Sequence, residues 1–143
     1  MKIKKYIGIF LSYKEIGTLL LFIFLFGTGR AFAQSKVTFK VNLKPLLKDS
    51  TVIPKRDDIY LKGNVFPLSS TKKVYMKDTA PVDSIYQVTV DFPYSAMGKQ
   101  LDYNFFIYNP DKDKLMKEHR SRQLKLQEGD QKLKAIYFDS YAW

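Results

Sequence analysis

The chain has 143 residues, and its 24 Lys and Arg against 14 Asp and Glu give a formal net charge of +10. It contains no cysteine, which excludes a disulfide framework, a thiol nucleophile and a thiolate metal site. The basic residues are scattered along the whole chain instead of forming one stripe, and this argues against a nucleic-acid-binding protein.

The N-terminus has the three parts of a signal peptide. Lysines among the first 14 residues precede an apolar core of 11 residues at 16–26, and Ala31-Phe32-Ala33 then supplies the small-x-small pattern that a signal peptidase accepts. A membrane-spanning helix needs about 20 apolar residues, so this core is short for an anchor. We therefore expect a signal-peptide helix in residues 1–33, cleaved after Ala33; the alternative is an uncleaved anchor.

Residues 34–143 are predicted to form one domain in a secreted or periplasmic protein that meets the membrane only during export. These 110 residues are enough for a single hydrophobic core. Without residues 1–33, 19 basic and 13 acidic residues remain, which is a net charge of +6.

Alternation of apolar and polar residues dominates this domain and predicts about seven short strands. The clearest are a first strand over 37–43, a fourth over 86–92, and a fifth over 101–108 that has aromatic residues on both faces. Shorter apolar runs predict the other four strands, around residues 59–61, 74–76, 124–126 and 133–138. Turn signals fall in the gaps, as is typical of an all-β, antiparallel, immunoglobulin-like β-sandwich.

No stretch of the domain shows a convincing helical face. Residues 111–118 are predicted either as one turn of helix or as a long hairpin loop.

The sequence contains no recognisable constellation of catalytic residues. The single histidine, His119, lies in the charged segment KEHRSR, where a surface position is expected. No Gly-rich phosphate loop, G-x-S-x-G elbow or H-E-x-x-H motif is present. Asp57-Asp58 and Asp111-x-Asp113 lie in turns among lysines, which favours structural roles over metal binding. We expect a protein that is not an enzyme and has no cofactor.

Aromatic content is the most informative feature, with 10 Tyr, 11 Phe and one Trp. Most phenylalanines are expected in the core. Tyr60, Tyr75 and Tyr108 are out of phase with the buried faces of their strands, so they are predicted to point outward. Outward tyrosines can stack on sugar rings, whose C–H groups meet the negative face of the π-system. They can equally be ordinary strand residues with hydrated hydroxyls.

Six short segments, taken in chain order, carry a resemblance to a known family. They are V-T-F-K-V at 37–41, D-I-Y-L-K-G-N at 58–64, F-P-L-S at 66–69, Y-Q-V-T-V at 86–90, L-D-Y-N-F-F at 101–106, and Glu118 with Arg122. In this order they resemble the starch-binding modules of carbohydrate-binding module family 20, which are β-sandwiches attached to secreted proteins. The resemblance spans nearly all of 37–138 and implies binding of an α-glucan through stacked aromatic rings.

The sequence departs from the family pattern at positions where the family carries its sugar-binding residues. Ser70 lies near the place of the first stacking tryptophan, Lys117 replaces the tryptophan before Glu118, and Asn104 replaces the lysine of the family's Y-K-F strand. A bound sugar must then stack on other rings. The candidates are Phe66, Tyr75 and Tyr108.

Two functions follow from this pattern. The first is a non-catalytic secreted module that binds starch, another α-glucan or another polysaccharide through exposed aromatic residues, alone or beside a separately encoded hydrolase. The second is a cell-envelope protein-interaction or structural module that kept the sandwich and lost the sugar site. The outward tyrosines favour the first, and the missing tryptophans favour the second.

Overall fold

The computed structural model describes residues 34–140, and nearly all of its regular structure is β. The predicted signal peptide lies outside the described residues. The elements are β1 (Ser35–Asn42), helix α1 (Lys44–Lys48), β2 (Asp58–Gly63), β3 (Val74–Tyr75), β4 (Lys77–Asp78), β5 (Ile85–Phe92), a 3-10 turn (Tyr94–Ala96), β6 (Gln100–Asn109), β7 (Lys114–Lys117), β8 (Arg122–Lys125), β9 (Gln131–Lys132) and β10 (Ile136–Tyr137). Within residues 34–140, no helix is long and apolar enough to cross a membrane.

The strands form two five-stranded sheets, which confirms the predicted β-sandwich. In the first sheet, β5 pairs with β1 antiparallel over the full length of both strands, and β4 pairs with the other edge of β5. In the second sheet, β2 lies between β3 and β6. The hairpin strand β7 pairs with the C-terminal half of β6, and β8 pairs with its N-terminal half.

The core lies between the two inner faces and follows the predicted alternation. Val37, Phe39 and Val41 of β1 are fully buried, and Leu101, Phe105 and Ile107 of β6 are buried opposite them. The Phe39 ring meets the Tyr103 ring edge-on, with their centroids 5.0 Å apart, and so connects the two sheets. Such tilted contacts are the preferred geometry of aromatic pairs.

Several local predictions need correction. The strand expected at 74–76 is divided, because the chain passes at the buried Met76 from β3 in the second sheet to β4 in the first. Residues 111–118 form the β6–β7 hairpin, so the helical alternative was wrong. Helix α1 was not predicted, because five residues are too few for a helical period to be visible. Finally, β9 and β10 pair parallel with β1, so the first sheet is mixed at that edge.

Candidate functional site

The outer face of the second sheet carries a row of aromatic rings. Successive residues of a strand point to opposite faces, so Tyr60 points outward between the inward-facing Ile59 and Leu61. The strand register places Tyr75 on one side of Tyr60 and Phe106 on the other. The Tyr60 and Phe106 rings lie parallel, with centroids 5.2 Å apart, and the Tyr75 ring meets Tyr60 edge-on at 6.0 Å.

Three lysines of this face stand over the rings. The Lys62 Nζ lies 5.7 Å from the Tyr60 centroid and 5.4 Å from that of Phe106. The Lys73 Nζ lies 4.9 Å from the Tyr60 centroid and 5.1 Å from the Tyr108 centroid. The Lys117 Nζ lies 5.9 Å from the Phe106 centroid. All of these distances fall within the range of about 6 Å in which a cation is attracted to a ring face.

None of the three lysines forms a salt bridge with a residue in the 34–140 range. We call the whole set the tyrosine–lysine face: Tyr60, Tyr75, Phe106, Tyr108, Lys62, Lys73 and Lys117. The face combines apolar ring area with ammonium groups that have no carboxylate partner among residues 34–140.

The tyrosines of this face differ in accessibility. Tyr60 points outward as predicted, but its neighbours cover it and it is only 2% exposed. Burial raises the pKa of its hydroxyl, with smaller contributions from Tyr75 and Asp58. Tyr75 is 51% exposed and offers an open ring. Tyr108 is half-buried, and its hydroxyl donates to Asp113 Oδ1 at 2.9 Å, a hydrogen bond that raises the pKa of Tyr108.

The structure brings two of the three predicted site residues together. Tyr75 opposes Tyr60 in the register, Tyr108 lies in β6 two residues beyond Phe106, and Lys73 stands over both Tyr60 and Tyr108. Phe66 lies apart, in the loop that follows β2. It is 75% exposed and forms no ring contact with another aromatic residue in the described part of the chain. Its binding role stays a prediction.

Four members of the face were not predicted. The sequence held a signal for Phe106, because the fifth strand carries aromatic residues on both faces. It held none for Lys62, Lys73 and Lys117, since lysine is common on any solvated strand or loop. Their grouping depends on cross-strand register, in which Phe106 faces Lys117.

Tyr75 also lines a groove beside the face. This groove has a volume of about 700 Å³ and runs along helix α1, β3 and β4. Its lining includes Val82, which is 82% exposed, the two lysines Lys55 and Lys77, and three aspartates, Asp57, Asp58 and Asp78. The open tyrosine therefore lies between two surfaces that could each receive part of an extended ligand.

Glu118 and Arg122, the pair that belongs to the family resemblance, form an ion pair in which Glu118 is buried and Arg122 is half-buried. Arg122 Nη2 donates to Glu118 Oε1 at 2.6 Å, and its guanidinium stands over the Phe105 ring. Glu118 also accepts the backbone N–H groups of Phe105 and Asp139, both at 3.1 Å. Arg122 Nη2 further donates to the Tyr137 carbonyl in β10. This cluster joins the second sheet to the last strand of the first, which is a structural role.

A cleft of about 380 Å³ opens beside this ion pair and is lined in part by Tyr103 and Ser121. Burial raises the pKa of Tyr103 to about 12. Asn104, which replaces the family's lysine, is buried and donates to the Arg120 carbonyl at 2.9 Å. These polar groups hold the β7–β8 loop in place.

His119 and Asp57, which were considered as a possible base and a possible metal ligand, form contacts within the fold. His119 has an 82% exposed side chain and contacts the Asp139 carboxylate. Although burial opposes it, hydrogen bonds from Arg56 and the Ile53 N–H hold the pKa of Asp57 below its usual value. Within residues 34–140, no group of three or more His, Cys, Asp or Glu could hold a metal ion.

No protein-family model matches the chain, and no curated protein matches it in sequence. Solved structures are similar to it in fold. A gamma-CGTase from alkalophilic Bacillus clarkii has a TM-score of 0.53 at 17% identity, over 75% of this chain and 15% of that one. A glycoside hydrolase family 15 glucoamylase from Hypocrea jecorina has a TM-score of 0.48 at 13% identity, over 69% of this chain and 17% of that one. The chain thus spans less than a fifth of the length of either structure.

Proposed function

We propose that this protein is a non-catalytic, exported module that binds a polysaccharide through the tyrosine–lysine face. The observation that carries the proposal is the row formed by Tyr75, Tyr60 and Phe106 on the outer face of the second sheet. Within this row Tyr60 is covered by its neighbours, whereas Tyr75 leaves 51% of its surface exposed on the face opposite the core. Exposed apolar patches rimmed by polar groups are typical of interaction surfaces.

The chemistry of the face suits a sugar chain. The open ring of Tyr75 can stack on the C–H face of a pyranose, and the surrounding ammonium groups can donate to hydroxyl oxygens. The row crosses three adjacent strands, which lie about 4.8 Å apart, so the open Tyr75 ring lies at one edge of an extended face whose central ring, Tyr60, is covered. The groove beside Tyr75 extends that surface towards β4.

Starch or another α-glucan is the first polysaccharide to test. The ordered segments resemble starch-binding modules, and the fold is shared with part of a gamma-CGTase. Export through a cleaved signal peptide and cooperation with a separately encoded hydrolase belong to the same proposal.

Affinity electrophoresis of the purified protein tests this function directly. Native gels would contain amylopectin, another glucan, xylan or no polymer, and we expect retardation in at least one polysaccharide gel. Tyr75→Ala should weaken retention by about fivefold, corresponding to the loss of roughly 1 kcal/mol of stacking. Tyr94→Ala is the matched control, because Tyr94 is similarly exposed at 57% but lies in the 3-10 turn.

One further result would relocate the binding site, and another would contradict the proposal. Retention lost on Phe66→Ala but kept on Tyr75→Ala would move the site to the loop after β2. Unchanged mobility in every gel would contradict polysaccharide binding.

The second candidate function is an interaction or structural module of the cell envelope. It is favoured by the coverage of the Tyr60 ring, which is closed to a stacking sugar, and by Leu115, which is 53% exposed opposite Tyr108. Under this function, Tyr75→Ala would leave all glycan behaviour unchanged.

A further inference from the structure

We propose that the polysaccharide bound by the tyrosine–lysine face is acidic, with carboxylate or sulfate groups that pair with Lys62, Lys73 and Lys117. This inference rests on the proposed polysaccharide-binding function. It concerns the class of ligand, and it departs from the neutral α-glucan that the family resemblance implies.

Three positive charges are grouped on the tyrosine–lysine face. They are grouped over one ring cluster, at 4.9 to 5.9 Å from its centroids, and this grouping sets them apart, since no lysine of residues 34–140 forms a salt bridge there. Two carboxylates lie near the Tyr108 end: Asp58, which opposes Tyr108 in the register, and Asp113, which accepts the Tyr108 hydroxyl. Neither is within salt-bridge distance of the three ammonium groups. An anionic ligand would supply the missing partners through charge-assisted hydrogen bonds.

The same lysines also cover three of the rings. Lys62 and Lys117 stand over Phe106, and Lys73 stands over Tyr60 and Tyr108. A neutral sugar would have to displace these ammonium groups to stack there and would gain no charge interaction in return. An acidic sugar can pair with the lysines in place and still stack on the open Tyr75 ring.

The same observations favour an acidic polysaccharide over a nucleic acid. The face contains lysines and no arginine, and Asp58 and Asp113 interrupt the positive charge at its Tyr108 end. The charge is therefore local, whereas binding of a phosphate backbone needs a continuous basic groove with rings open for successive bases. Nucleic acid is tested below as a competing ligand.

The test compares ligands that differ only in charge. Polygalacturonate is paired with its methyl ester, and dextran sulfate with dextran, and dissociation constants are measured by biolayer interferometry at low salt. We expect the charged member of at least one pair to bind about tenfold more tightly or better, since exposed charge pairs contribute roughly two- to fivefold each. Because salt screens exposed charges, this preference should shrink between about 0.05 and 0.5 M NaCl.

A matched pair of triple variants separates the face from general basicity. Lys62→Gln with Lys73→Gln and Lys117→Gln should abolish the preference for the charged ligand. Lys36→Gln with Lys40→Gln and Lys132→Gln removes the same charge from the outer face of the first sheet and should preserve it. Thermal melts by circular dichroism verify that both variants fold.

Each contrary outcome has a distinct meaning. Equal affinity for charged and neutral partners, or equal losses in the two triple variants, would overturn the acidic ligand. Tighter binding of a single-stranded oligothymidylate than of polygalacturonate would also overturn it and identify a nucleic-acid site. Binding to amylopectin alone would overturn this inference and leave the proposed function standing, whereas failure to bind any polysaccharide would overturn both.

Discussion

The outer faces of the two sheets are built by the same alternation but differ in chemistry. On the first sheet, the outward residues of β1 and β5 include Lys36, Lys40 and Asp91, and Thr38 and Thr89 share a hydrogen bond of 2.9 Å. On the second sheet, the outward residues form the tyrosine–lysine face. Both inner faces are apolar and pack into the same core.

The difference teaches that one outer face of the sandwich is held by polar residues and the other by packed aromatic rings. A polar outer face, as on the first sheet, is sufficient for the fold and keeps a strand surface soluble. Within the outward ring cluster Tyr60 is covered, but Tyr75 adds exposed apolar area, which soluble proteins usually keep small unless it is used. The aromatic content that stands out in the sequence therefore belongs partly to the core and partly to the outer face to which we assign the proposed binding.

The largest loss in the free energy of unfolding is expected from a substitution at Glu118, where the two sheets are joined. Glu118→Ala removes the partner of Arg122 and leaves the N–H groups of Phe105 and Asp139 without their acceptor. Breaking a buried ion pair costs about 3–5 kcal/mol, so the free energy of unfolding in urea should fall by that amount. Glu128→Ala, at an exposed acid, is the control and should change it by less than about 0.5 kcal/mol. A small loss at Glu118 would show that the cluster does not hold the sheets together.

The next largest loss of stability is expected on the outer face of the second sheet, and only a small loss on that of the first. Tyr60→Ala removes a ring that is 2% exposed and packed between Tyr75 and Phe106, and should lower the free energy of unfolding by about 3 kcal/mol. Tyr60→Phe keeps the ring and should preserve most of the stability. Thr38→Ala, on the outer face of the first sheet, should cost less than about 1 kcal/mol. Equal losses for Tyr60→Ala and Thr38→Ala would contradict a packed aromatic face.

A smaller loss of stability is expected at alkaline pH, to which the buried Tyr103 should contribute more than the half-buried Tyr108. The unfolded chain loses the Tyr103 proton near pH 10 and the folded chain near pH 12, so the folded state binds more protons between these values. Stability should therefore be intact below pH 10 and fall by about 2–3 kcal/mol towards pH 12. Tyr103→Phe should reduce this slope, whereas Tyr108→Phe, at a solvent-facing hydroxyl, should change it less. If both variants leave the alkaline loss unaltered, Tyr103 is not its source.

The sequence was sufficient for the sandwich because burial imposes alternation on each long strand. The strands around Phe39, Val90 and Phe105 were predicted in this way, and so was the outward orientation of Tyr60, Tyr75 and Tyr108. The transfer of the chain between sheets at Met76 was not visible, because one apolar residue can end a strand or continue it. The placement of Lys62, Lys73 and Lys117 over the rings depends on register between distant segments, which alternation alone does not specify.

The central claim is that the tyrosine–lysine face binds polysaccharide, and an NMR titration tests it most directly. Backbone amide spectra of the isotopically labelled protein would be recorded while maltoheptaose or oligogalacturonate is added. We predict shift changes that centre on Tyr60, Tyr75 and Phe106 and fade towards Lys36 and Thr89 on the other sheet. Changes confined to the first sheet or to the cleft beside Glu118, or no change with either sugar, would contradict the claim.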